Sequence, residues 1–159
     1  MLRSLLGSEM CIRSSTESLS TEFNLSYQDA IEAPGSTNGI LVDSTEFNQF
    51  TSSQMTAAVL YGTRESKGQI IVTFDVNNTE FTKIEQAFRN ADITSITGGY
   101  FYRIAPSTRL LFEIAQTDFD YIDAIGLNDQ SSQQNTYLTG IEWASSGQIT
   151  SALRLGYQT

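Results

Sequence analysis

The 159-residue chain is 40% hydrophobic and 17% charged, with a formal net charge of −9. That apolar content separates it from disordered acidic tails, and the acidic balance argues against nucleic acid, whose binding needs clustered Lys and Arg. It contains no histidine, which removes Ser-His and Asp-His catalytic pairs and the usual His/Cys zinc sites.

The first stretch, MLRSLLGSEMCIRSS, is set apart from fold reasoning. Written GAG ATG TGT ATA AGA, Glu9 to Arg13 match most of the transposase end sequence AGATGTGTATAAGAGACAG used in DNA library preparation. The match stops where Ser14 stands in place of Asp. Residues 1–13 are therefore expected to be adapter-derived, with the natural frame entering near Ser14 and the domain running over 14–159. MLRSLLG is not read as a signal peptide. Cys11, the only cysteine, cannot form an intrachain disulfide and leaves the redox compartment open.

From there the dominant period is two. LSTEFNLSYQ places Leu19, Phe23, Leu25 and Tyr27 on one face, and Ser20, Glu22, Asn24 and Ser26 on the other. SQMTAAVLY follows, then QIIVTFDVN with Ile70, Val72, Phe74 and Val76 on one side. SITGGYFYR comes next, then TRLLFEIAQ with Leu110, Phe112 and Ile114. NTYLTGIEW and QITSALRLGYQT close the series, the latter with Ile149, Leu153, Leu155 and Tyr157 aligned. Alternation of this kind predicts half-buried strands, seven in number.

Three of these strands align at a spacing of 41 residues: Met55, Ile96 and Tyr137; Val59, Tyr100 and Ile141; Tyr61, Tyr102 and Trp143. Propeller blades recur at about this length but need four strands each, and each period here holds two. The repeat is a hairpin. Its connections alternate between short turns near Ser66, Pro106 and Ser146 and long polar segments over 29–50, 78–94 and 118–135. Eleven of the 18 acidic residues fall in those long segments, whereas Arg64, Lys67, Arg103 and Arg109 gather at the short turns.

Strands of this length, apolar on one face, with short turns at one end and long loops at the other, match the pattern of transmembrane β-barrels. Aromatics with a polar tip suit the boundary between an apolar band and water, and Tyr27, Tyr61, Tyr102, Tyr121, Trp143 and Tyr157 are the expected girdle. The alternate positions then face a lumen: Glu22, Asp75, Arg103, Arg109, Glu113, Glu142 and Arg154. A soluble β-sandwich would use the same alternation to separate core from water. Uniform strand length, connection asymmetry and aromatics in register with the turns favour the barrel.

GYFYRIAPSTRLLFEIAQTDFDY, followed by YLTGIEWASSGQITSALRLGYQ, resembles the outer-membrane β-barrel porins encoded in bacterial exopolysaccharide gene clusters. The likeness lies in strands ending YR-, a P-S-T turn, a T-DFDY strand exit and a G-x-x-W-x-x-S-G hairpin leading to LGY. It covers residues 95–158 best. The resemblance implies an outer-membrane barrel serving polysaccharide secretion or passive solute passage, with membrane lipid, lipopolysaccharide and polysaccharide as its partners. It carries over no catalytic residue. Seven strands fall short of the even number, eight or more, of bacterial barrels, so the expected fold is all-β, an antiparallel up-and-down transmembrane β-barrel of which about seven strands are present.

Chemistry of other kinds finds no template. No Gly-rich phosphate loop or nucleophile elbow occurs, so neither an enzyme nor a cofactor is expected. Asp118, Asp120 and Asp123 form a candidate weak Ca²⁺ site, although an EF-hand requires Gly and Glu at its sixth and twelfth positions, here Asp123 and Asp129. The alternative function is a soluble all-β surface-binding module of lectin-like type, with the acidic loops as its binding end.

Overall fold

A computed structural model describes residues 3–16, 18–32, 48–121, 131–146 and 149–159. They form one antiparallel up-and-down sheet of eight strands in chain order. These are β1 (Arg3–Ser15), β2 (Leu19–Glu32), β3 (Asn48–Tyr61), β4 (Gly68–Phe81), β5 (Ala91–Ala105), β6 (Thr108–Tyr121), β7 (Ser132–Ser146) and β8 (Ile149–Gln158). A 3₁₀ turn, η1 (Ile84–Arg89), lies between β4 and β5. Every strand pairs with its chain neighbours, and β1 and β8 are not paired with each other, so the sheet is open.

Two expectations change. The strands number eight rather than seven, because residues 3–15 pair along β2 from Arg3↔Ile31 to Ser15↔Ser20 and set Met10 and Ile12 beside Leu25 and Phe23. The strands also run further into the segments expected to be loops. Asp29, Glu32, Glu80, Asp92, Asp118 and Asp120 all lie on strands. Pairing outlasts the apolar alternation because backbone hydrogen bonds continue wherever both partners stay extended, whatever the side chains.

The register is inclined. One hydrogen-bonded row runs from Ile12 through Phe23, Ala57, Phe74, Ile96, Gln116 and Asn135 to Thr159. Ile12 stands three residues before the end of β1, and Thr159 ten residues beyond the start of β8. The line of short turns therefore slips about one residue per strand. One residue of rise against one strand spacing corresponds to a strand tilt of about 35°, at the lower end of the range that lets a sheet curl toward closure.

The two faces differ in chemistry and in shelter, and in the opposite sense to a water-soluble sheet. Facing one way are Leu25, Val59, Val72, Phe74, Ile96, Phe112, Ile114, Leu153 and Leu155, all exposed, Leu155 to 67%. Facing the other way are Glu22, Asp75, Arg103, Arg109, Glu113, Glu142 and Arg154 together with Ala30, Ala91 and Leu111, the only buried hydrophobic residues among those described, while Asp29, Glu80, Asp92, Asp118 and Asp120 sit on the apolar face at its long-connection end. Leu111 is 1% exposed, so the sheet folds in over its polar face and turns its apolar face outward.

Candidate functional site on the polar face

Partners followed across the sheet from Glu22 are Ala58, Thr73, Thr97, Ala115, Thr136 and Gln158. Side chains alternate along a strand. Asp75, Arg103, Glu113, Arg109, Glu142 and Arg154 each lie an even number of residues from a member of that row, so all seven expected residues share one face. Several are hydrogen-bonded there. Thr56 Oγ1 donates to Asp75 Oδ1 at 2.7 Å, and Asn24 Nδ2 donates to Glu22 Oε1 at 3.1 Å. Glu113 and Arg154 make no ion pair within the described residues.

The densest chemistry lies at the short-turn end. Arg109 on β6 donates through Nη2 to Glu142 Oε1 on β7 at 2.9 Å and through Nη1 to Gln69 Oε1 on β4 at 3.0 Å. Its guanidinium also sits 4.6 Å from the Phe101 ring centroid, within cation–π range. Arg64, from the turn after β3, donates to the same Glu142 oxygen at 2.5 Å. The Arg109 and Glu142 side chains are only 12% and 13% exposed, whereas Arg64 is 60% exposed. Arg64, Glu65, Arg103, Pro106, Ser107, Arg109, Glu142 and Ala144 line a cavity of about 140 Å³.

The turn that presents Arg64 is built by its backbone. Gly62 has φ +89°, a left-handed conformation that costs an L-residue with a Cβ about 1–2 kcal/mol. Thr63 N–H then donates to Ser66 Oγ at 3.0 Å, closing the loop. Sequence reasoning placed Arg64 among the basic residues at the short turns, yet gave no signal that it meets Glu142.

At the opposite end of the sheet, Arg89 in η1 forms a two-pronged pair with Glu32 of β2 at 2.9 and 3.0 Å and stacks 4.1 Å over the Phe81 ring. It clamps the β4–β5 connection onto the end of β2. Asp118 accepts from Gln133 Nε2 at 2.7 Å and Gln116 Nε2 at 3.2 Å, and Asp120 accepts from Ser131 Oγ at 3.2 Å. Asp123 lies outside the described residues. Among the described residues no three acidic or sulfur side chains gather around a common point.

Five of the expected girdle residues, Tyr27, Tyr61, Tyr102, Trp143 and Tyr157, lie on the apolar face. Tyr121 does not. It pairs with Ala91 and so belongs with Phe119 and Thr117 on the polar side, because its odd position along β6 fixes its face whatever its place at the strand end.

Comparison of the chain with protein-family models, with curated proteins and with solved structures finds no match.

Proposed function

We propose that this chain forms part of an outer-membrane β-barrel, porin-like in architecture, that serves polysaccharide secretion or passive passage of polar solutes. The inverted sheet carries this reading: exposed apolar residues on one face, sheltered Arg109, Glu142 and Leu111 on the other. Soluble monomers rarely expose contiguous apolar patches beyond a few hundred Å². A lipid-facing sheet exposes them by design, with aromatics such as Trp143 and Tyr61 at the band's edge. In a membrane the two open edges, β1 and β8, would have to be paired, with each other or with further strands, since lipid offers no partner to unpaired edges. On this reading the charged face lines the lumen, and the resemblance over residues 95–158 to barrels of exopolysaccharide gene clusters supplies the solute class.

Heat-modifiable migration on a gel, together with partition into the outer-membrane fraction, tests the proposal. A faster-migrating unheated form in that fraction is the expected result. A single form in the soluble fraction would replace it with a soluble all-β binding module whose apolar face meets another protein.

A further inference from the structure

We infer that the short-turn cavity between Arg64, Arg103 and Arg109 is a binding site for an oxyanion, either the carboxylate of an acidic sugar or a phosphate. The inference rests on the lumen reading above and adds the ligand's charge class to it.

Three observations carry it. First, Arg103 and Arg109 are direct cross-strand partners, and like charges placed opposite one another are destabilising. A sheet tolerates such a pair where an anion is shared between them. Second, the carboxylates present do not balance the arginines. Glu142 is occupied by both Arg109 and Arg64 through one oxygen, while the Arg103 side chain makes no ion pair or hydrogen bond within the described residues, and neither does the Glu65 side chain. Third, Arg103 borders open volume on two sides. It lines the cavity of about 140 Å³ with Arg64 and Arg109, and an adjoining one with Lys67 and Pro106.

The surroundings suit an anion and not a cation. Three guanidiniums and the neighbouring Lys67 face two carboxylates, in a chain whose overall charge is −9. Guanidiniums bind carboxylate and phosphate through paired N–H donors. Glu142 holds Arg109 and Arg64 in place and leaves Arg103 to engage the ligand. The acidic remainder of the chain repels anions elsewhere, so the cavity is the place where an anionic solute gains.

The test uses the whole chain folded in detergent micelles, with folding of each sample read by heat-modifiable migration. Equilibrium dialysis measures binding of glucuronate, galacturonate oligomers, inorganic phosphate and a neutral glucose oligomer. The expected result is saturable binding of uronate or phosphate, no binding of the neutral sugar, and about tenfold or greater weakening in Arg103→Gln, the loss of one charge-assisted contact. Lys83→Gln, between β4 and η1 at the opposite end of the sheet, removes one positive charge and leaves affinity unchanged. The uronate and phosphate arms distinguish the source of the oxyanion. Heat-modifiable protein that binds neither anion, or binds equally in Arg103→Gln, overturns the inference and leaves the barrel standing. Protein with no heat-modifiable form overturns the lumen reading and this inference with it.

Discussion

Arg64 and Glu142 stand 78 residues apart in the chain and form an ion pair of 2.5 Å. Arg64 belongs to the turn between β3 and β4, and Glu142 to β7, so at least three strand spacings separate them, about 14 Å or more across a flat sheet. They meet because the sheet curls over its polar face. Arg109, on the intervening β6, donates to the same oxygen from below. The pair is therefore a gauge of curvature as well as a contact.

That gauge predicts unequal effects of mutation. Glu142→Gln leaves Arg109 sheltered and without its counter-charge, and is expected to cost about 3 kcal/mol, as when one member of a buried pair is removed. Arg64→Ala, at 60% side-chain exposure, is expected to cost less than about 1 kcal/mol. Denaturant unfolding of the two variants beside the parent chain checks the ranking.

The faces give a second prediction. Leu153 lies on the apolar face and Arg154 on the polar one. If the apolar face meets lipid as proposed, Leu153→Arg places a charge there at a cost of about 2–4 kcal/mol near the midplane, and is expected to abolish insertion into vesicles. Arg154→Ala is expected to insert normally. Equal tolerance of both, measured by heat-modifiable migration, would contradict the face assignment.

These faces were legible in the sequence because strand alternation has a period of two and one residue's side fixes all the others. Glu22, Asp75, Glu113 and Arg154 fall together for that reason alone. Tyr121 shows what happens when position at a strand end is weighed above parity. β1 was not legible, since RSLLGSEMCIRSS lacks clean alternation. The Arg64–Glu142 contact was hidden for a different reason: it depends on curvature, which arises from tilt and register across the whole sheet and leaves no local mark on either residue.

Close backbone approach yields a third prediction. A Cβ on Gly140 would meet the Leu153 carbonyl oxygen and lie 3.2 Å from Arg154 Cα. Both are backbone of the neighbouring strand and cannot swing aside. Gly140→Ala is expected to destabilise by about 1–3 kcal/mol, the usual cost of overpacking. Gly98→Ala, with nothing within 4 Å of the added carbon, is the comparison and is expected to be near neutral. Thermal or denaturant melts of the two variants read the difference.

The clamp of Arg89 on Glu32 gives a fourth. Arg89→Lys keeps the charge but loses the two-pronged geometry and the stacking on Phe81, which Lys does not reproduce. Limited proteolysis is expected to cut within residues 82–90 faster in this variant, with the rest of the sheet unchanged. An unaltered cleavage rate would mean that other contacts hold η1.

Trp143 reports directly on whether the apolar face meets lipid. It is the only tryptophan, lies on that face, and sits near the short turns. The decisive measurement is quenching of its fluorescence in vesicles whose acyl chains carry bromine at defined depths. Strong quenching is expected, greatest for bromines near the headgroup, where an aromatic girdle belongs. Fluorescence unaffected by bromine at every depth would contradict it and place the apolar face against protein instead of membrane.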